Sequence, residues 1–225
     1  MKKLLAAIIA AALLLSGCSL SSRPAVSAPP AETPSPSPTP IVTPTPAPEP
    51  SDDELVLVRD YIPGIFIDLK YATTDNFTGQ VIYDSDEAYL RYGTVKKLLA
   101  AQNELSGRGL SLKIWDAYRP VSAQFKLWEI CPNPVYVSDP NNGYSKHSRA
   151  NTVDITLVTD TGKSIPMPSG FDDFTSLADR DYSDVSDEAA ENARLLENVM
   201  VENGFVPYSG EWWHYSDSVA YDVYG

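Results

Sequence analysis

From residue 65 onward the chain alternates apolar and polar positions in short runs, separated by two longer stretches with helical spacing. In IFIDLKYA, Ile65, Ile67 and Leu69 alternate with Phe66, Asp68 and Lys70, which predicts a strand. Thr94 is placed to cap a helix carrying Val95, Leu98, Leu99, Gln102 and Leu105 on one face and stopping at Gly107. Leu110, Leu112 and Ile114 of LSLKIWDAY predict a second strand, which leaves into a turn at Arg119-Pro120 and a short helix from Val121 to Ile130. The next run, CPNPVYVSDPNNGY, is rich in Pro, Asn and Gly and reads as an irregular excursion. In NTVDITLV, Val153, Ile155 and Leu157 share one strand face and leave Thr152, Asp154 and Thr156 on the other. Ser186 is positioned to cap a helix running to Asn203, with Ala189, Ala193, Leu196 and Met200 inward and Gly204 ending it. FVPY and EWWHY read as short aromatic strands that close the chain. Strands and helices mix without βαβ regularity. The expected class is therefore α+β, a single domain over residues 51–225 with a central antiparallel sheet flanked by helices.

The first fifty residues follow other rules. Lys2 and Lys3 precede an unbroken apolar run from Leu4 to Leu15, too short for the ~20 residues of a bilayer span but suited to a signal-peptide core. The run ends in Leu15-Ser16-Gly17-Cys18, which resembles the lipobox of bacterial lipoproteins, so residues 1–17 are expected to be a signal peptide and Cys18 the lipidated first residue. Residues 18–50 then hold most of the chain's 19 prolines. That composition favours extended polyproline II, and at about 3.1 Å per residue it makes a spacer reaching ~100 Å. The expected setting is extracytoplasmic, with the domain tied to a bacterial membrane through a lipid anchor.

Charge and cysteine content narrow the partners. A net charge of −13 argues against nucleic acid. Of two cysteines only Cys131 falls in the domain, so no internal disulfide is available, and a buried thiol is the expected state.

Two histidines, His147 and His214, stand in the whole chain. His147 lies in SKHSRANTVDITL, seven residues before Asp154, and His214 lies in GEWWHYSD, three residues after Glu211. A catalytic zinc takes three ligands from His, Asp and Glu and keeps one position for water. His147, Asp154 and His214 make such a set, and Glu211 is a carboxylate beside it to act as general base. Each fragment alone favours core packing, with Trp212 and Trp213 inward and His214 as their hydrogen-bonded companion; it is the two together, with no histidine left over, that point to a site. Residues three apart on a regular strand face opposite ways, so convergence of Glu211 with His214 requires a bulge or strand start after Gly210.

The segments DLKYATTDNFTG, IWDAYRP, SKHSRANTVDITL, SIPMPSGFDDF and GEWWHY, in this order, resemble those of the D-alanyl-D-alanine dipeptidases. These are known from vancomycin-resistance clusters and fall within the zinc D-Ala-D-Ala metallopeptidases. The resemblance implies a metallopeptidase, hedgehog-like fold and one zinc ion per domain on His147, Asp154 and His214, with Glu211 as base. It further implies Arg119 as the group facing the oxyanion and Asp172 as receiver of the substrate ammonium. Tyr71, Asp116 and Ser145 would line the pocket or hold Arg119. The implied substrate is D-Ala-D-Ala or a similar peptidoglycan-derived dipeptide. A D,D-carboxypeptidase or endopeptidase acting on stem peptides, and a non-catalytic wall-binding module, are the alternatives. The chain departs from the family pattern at Ala150, where a glycine is expected, and at Thr152, where an alanine is expected. Ala150 is expected to cost about 1 kcal/mol if its φ is positive, and Thr152 to crowd or bond Asp154.

Overall fold

The alternating segments become strands of a five-stranded sheet, and the two helically spaced stretches become helices packed against it. The structure is a computed structural model and describes residues 48–225. The expected signal peptide, the Cys18 lipidation site and nearly all of the proline-rich segment lie outside the described residues. A compact unit spans Ala47–Gly225. In chain order it contains β1 (Leu55–Leu57), α1 (Val58–Tyr61), β2 (Phe66–Ile67), β3 (Tyr89–Arg91), α2 (Tyr92–Ser106), β4 (Leu110–Asp116) and α3 (Val121–Ile130). There follow β5 (Thr152–Thr159), α4 (Asp187–Glu202), β6 (Phe205–Tyr208) and β7 (Glu211–Asp217). The class is α+β, as the pattern predicts.

The main sheet runs β2-β4-β5-β7-β6, antiparallel throughout except for the parallel pair β2–β4; β1 and β3 form a separate antiparallel pair. Val153, Ile155 and Leu157 of β5 join one apolar core with Leu98, Ala101 and Leu105 of α2 and Ala193, Leu196 and Met200 of α4. The opposite face of β5, with Thr152, Asp154 and Thr156, is buried as well. Three polar side chains in a row on a buried face need partners, and that face carries the site.

Two expectations are corrected. Only Phe66 and Ile67 of the 65–72 run are strand; Lys70–Ala72 is a 3₁₀ turn. The Asn76 side-chain amide donates to the carbonyls of Lys70, Thr73 and Gln80, and this knot turns the chain before the strand can continue. Helix α2 begins at Tyr92, and Thr94 is not its cap. The amides of Tyr92 and Gly93 donate to the carbonyls of Glu54 and Asp52, so the preceding segment satisfies the first turn in place of a side chain. The Thr94 hydroxyl is thereby free to donate to Asp217 at 2.8 Å. Ser186 does cap α4, accepting from the Ala189 amide.

Asp217 has a fully buried side chain at the end of β7 and accepts from Thr94 and from Lys97, which ties α2 to the strand bearing His214. Removing one partner of a buried pair costs roughly 3–5 kcal/mol; Lys97 is partly exposed and can rehydrate, which favours the lower end. Asp217→Ala is expected to lower unfolding free energy by about 3 kcal/mol, read as a fall in the urea midpoint at unchanged slope. A loss under about 1 kcal/mol would mean the tie is not structural.

Candidate metal centre and active site

Asp116, Asp154 and His214 lie side by side across β4, β5 and β7, in the register pairs Asp116–Asp154 and Asp154–His214. Paired residues of antiparallel strands point to the same sheet face. In the simple alternation of β4, Asp116 would share the core face of Leu112 and Ile114. The register shifts between Ile114 and Asp116, and this irregularity turns Asp116 onto the face of Asp154.

His147 arrives from a 3₁₀ turn, Lys146–Arg149, in which the Ser145 hydroxyl accepts from the His147 amide. Its Nδ1 lies 2.9 Å from the Ala117 carbonyl, so the ring donates there and turns its Nε2 lone pair inward. Nε2 is 3.3 Å from the Asp154 carboxylate and 3.4 Å from His214 Nδ1, and that nitrogen is 2.9 Å from Asp154. Four ligands at about 2.0–2.1 Å around a tetrahedral ion stand roughly 3.3 Å apart. Two nitrogens and one carboxylate at these spacings fit a divalent metal of the zinc type, and the group emerges as a metal-sized cluster among the described residues. Burial opposes charge on all three. Asp154 is nevertheless held well below the usual carboxylate range by the two histidine rings beside it, which favour its charged form. Burial also works against a charged His147, but Asp154 and Asp116 outweigh it and raise that ring's pKa. For His214 burial prevails and the pKa falls.

Glu211 is the first residue of β7, and its carboxylate stands 3.5 Å from His214 Nδ1. The two side chains converge because the β6–β7 register shifts beside them. Pro207 pairs with Tyr215 but Tyr208 pairs with Glu211. Burial, reinforced by the negative Asp154, raises Glu211 to about 7, in the range where a carboxylate both accepts and returns a proton near neutral pH.

Arg119 is buried at the exit of β4. Its Nε and Nη2 donate to Asp116 at 3.2 and 2.6 Å and its Nη1 to Gln124 at 3.0 Å. Three of the five N–H groups of a guanidinium are thus committed, and two remain for a ligand. Asp116 therefore holds Arg119; it also accepts from Tyr83 and faces His147 Nδ1 at 3.6 Å. Tyr71 lies beneath the Arg119 guanidinium, 5.1 Å from its ring centre, and donates 2.7 Å to Asp172. Asp172 adopts φ +51, a left-handed conformation that Asp tolerates better than most residues. Burial raises its carboxyl to about 8, against the lowering effect of the Tyr71 bond. A cavity of about 220 Å³ opens on Ser145, Lys146, Glu211 and His214 under Tyr136 and Tyr208.

All the domain's expected site residues meet in one region. Sequence reasoning missed Gln124 and Tyr83, which complete the cradle of Arg119 and Asp116, and Arg180, whose guanidinium reaches the carbonyls of Glu211 and His214. Ala150 does take the left-handed conformation expected of a glycine, at φ +59. Its carbonyl accepts from the Arg91 amide, and the Arg91 side chain donates to the carbonyl of Arg149, so tertiary bonds hold the strained turn. Thr152 is corrected: its hydroxyl pairs with Ser216 at 3.0 Å and has no bond to Asp154.

In the metal-free protein the folded state keeps the Asp172 proton up to about pH 8, whereas the unfolded chain releases it near 3.8. The fold binds more protons in that window. The stability this group contributes is therefore full below about pH 4 and is lost as pH rises through about 8. Asp172→Asn keeps a side chain suited to the left-handed backbone and should lose this dependence. Its melting temperature relative to the parent is expected to climb between pH 4 and 8.5; parallel curves would refute the raised pKa.

A profile of a peptidase family described as D-ala-D-ala dipeptidase matches residues 51–222. A D-alanyl-D-alanine dipeptidase of Escherichia coli K12 is 39% identical over 162 residues, covering 72% of this chain and 83% of that protein. One from Enterococcus faecium is 35% identical over 174 residues, covering 68% and 86%. A solved structure of VanYB in complex with D-Alanine-D-Alanine aligns at a TM-score of 0.41 and 17% identity over 60% of this chain and 75% of that one, too loosely to bear on the site. The match over nearly the whole described domain, with relatives at this identity, establishes that the chain belongs to the D-ala-D-ala dipeptidase family.

Proposed function

We propose that this domain is a zinc-dependent dipeptidase that hydrolyses D-Ala-D-Ala or a closely similar wall-derived dipeptide outside the cytoplasm. The observation that carries the reading is the Glu211 carboxylate, 3.5 Å from one nitrogen of a His-Asp-His cluster and raised toward neutrality. His147, Asp154 and His214 would hold the ion. When bound, zinc supplies a Lewis acid and lowers the pKa of a coordinated water. Glu211 takes the proton of the attacking water and returns it to the leaving amine. The two uncommitted N–H groups of Arg119 face the negative charge that develops on the scissile carbonyl oxygen. They are pre-aimed because Asp116 and Gln124 fix the guanidinium.

Asp172 receives the substrate ammonium, and an arriving cation favours its ionised form. A peptide extended at its amino end places a neutral amide there instead and forgoes that ion pair, which favours a dipeptide substrate. Lys146 lines the cavity with His214 and forms no ion pair among the described residues, which suits it to the substrate's free carboxylate. At about 220 Å³ the cavity is smaller than the roughly 300–1,000 Å³ of sites for drug-sized ligands. The lipobox-like Leu15-Ser16-Gly17-Cys18 and the proline-rich spacer support action at a bacterial membrane surface, on dipeptides released from the wall. The same spacer favours a second reading, trimming of stem peptides on the polymer, because reach matters little for a diffusing dipeptide.

Purified residues 48–225 with zinc should release D-Ala from D-Ala-D-Ala. Glu211→Ala should lower kcat by about 10²–10⁴ with zinc retained, and Arg119→Ala by about 10²–10³. Release from a stem pentapeptide but not from the dipeptide would overturn the dipeptidase reading in favour of a carboxypeptidase. Lys146→Ala should raise KM for D-Ala-D-Ala about tenfold at nearly constant kcat, the ~1.4 kcal/mol of an exposed charge-assisted contact. An unchanged KM would remove Lys146 from the binding site.

A further inference from the structure

Arg180 lies outside every motif that marks the active site, yet it is the most fully engaged cation in the described domain. Its Nε donates to the Tyr208 carbonyl at 2.7 Å. Its Nη1 donates to Glu197 at 2.9 Å and to the Tyr215 hydroxyl at 3.0 Å. Its Nη2 donates to the carbonyls of Glu211 and His214, both at 3.1 Å. All five N–H groups of the guanidinium are therefore occupied. The side chain is only 10% exposed, and it lies 4.6 Å from the centre of the Tyr215 ring.

The position of these acceptors is informative. On β7, Tyr215 pairs with Pro207, but the next β6 residue, Tyr208, pairs with Glu211. Trp212, Trp213 and His214 have no β6 partner, so the ladder is open on that edge while His214 still pairs with Asp154 on the other. Carbonyls three apart on a regular strand point to opposite edges. Those of Glu211 and His214 meet the same nitrogen. The backbone is thus bent here, and the bend is what brings the Glu211 and His214 side chains to 3.5 Å.

We propose that Arg180 is a positioning residue for the reaction: its guanidinium replaces the missing β6 ladder and holds the irregular backbone that aims Glu211 and His214 at the same point. The inference rests on the proposed roles of Glu211 and His214. Only a planar, five-donor cation serves all these acceptors together; the three donors of a lysine, on a single nitrogen, cannot. Glu197 on α4 and Tyr215 on β7 orient the fork, so helix α4 fixes the active-site strand through one side chain.

The test compares Arg180→Lys and Arg180→Gln with Leu105→Ala, a fully buried α2 residue outside the proposed site whose truncation lowers stability. Three quantities are measured below the melting point of each variant: kcat and KM for D-Ala-D-Ala, and zinc affinity by competition with a chromogenic chelator. Both Arg180 variants are expected to lose about 10–100-fold in kcat with KM within about threefold, and about 10–100-fold in zinc affinity. Leu105→Ala should lower the melting temperature comparably and keep kcat and zinc affinity within about twofold. Arg180→Lys with parental kcat and zinc affinity would overturn the inference, as would equal losses in Leu105→Ala. If the parent cleaves no dipeptide, the proposed function fails. Zinc affinity then still decides whether Arg180 positions His214.

Discussion

The register of three neighbouring strands is the constraint on which the site depends. Asp116, Asp154 and His214 form one row across β4, β5 and β7, and a slip of one residue in either pairing would send a carboxylate or an imidazole into the apolar core. Register is secured by what lies on the opposite face. Val153, Ile155 and Leu157 are almost fully buried against α2 and α4, and they cannot exchange faces with Thr152, Asp154 and Thr156 without losing that burial. The hydrophobic core thus specifies a polar row that it does not touch.

Two irregularities then adapt a regular sheet to the site. The shift at Trp115 moves Asp116 onto the polar face, where it holds Arg119 and stands behind His147. The shift beside Tyr208 lets Glu211 and His214 converge and is braced by Arg180. Trp115 and Trp212 pack edge to face at 5.6 Å, and Trp212 packs similarly on Trp213, so the aromatic run of β7 fills the space between the two bends. A region of bent backbone over a dense aromatic layer keeps its geometry, because interiors packed this closely do not deform gradually.

Electrostatics divides the carboxylates into roles that their sequence positions do not announce. Asp154 is kept ionised by two histidines, which suits it to the proposed role of metal ligand. Glu211 faces the same cluster, and burial together with the negative Asp154 raises it to about 7, which suits it to the proposed role of a base that returns a proton. Asp172 is raised further by burial, to about 8, which suits it to the proposed meeting with a substrate ammonium. Asp116 is saturated by Arg119, Tyr83 and the Ala117 amide, which leaves it a structural task. Four acids of one kind of chemistry become four different groups through burial and partners alone.

Much of this was legible in the chain itself. Alternation in LSLKIWDAY and NTVDITLV and the Ser186 cap are local signals, because side-chain direction and helix capping are decided within a few residues. With only two histidines, the pairing of His147 and Asp154 with Glu211 and His214 was also readable, as was the strand irregularity that Glu211 requires. What the tertiary structure alone decided is everything that joins distant segments. Carbonyls of Asp52 and Glu54 start α2 and release Thr94, and the Asn76 knot ends β2 early. Gln124 and Tyr83 complete the cradle of Arg119, and Arg180 closes the open edge of β7. A sequence pattern records which face a residue takes on its own strand. It does not record where a strand will bend or which remote donor will satisfy the backbone there, because those depend on the register between strands and on partners tens of residues away.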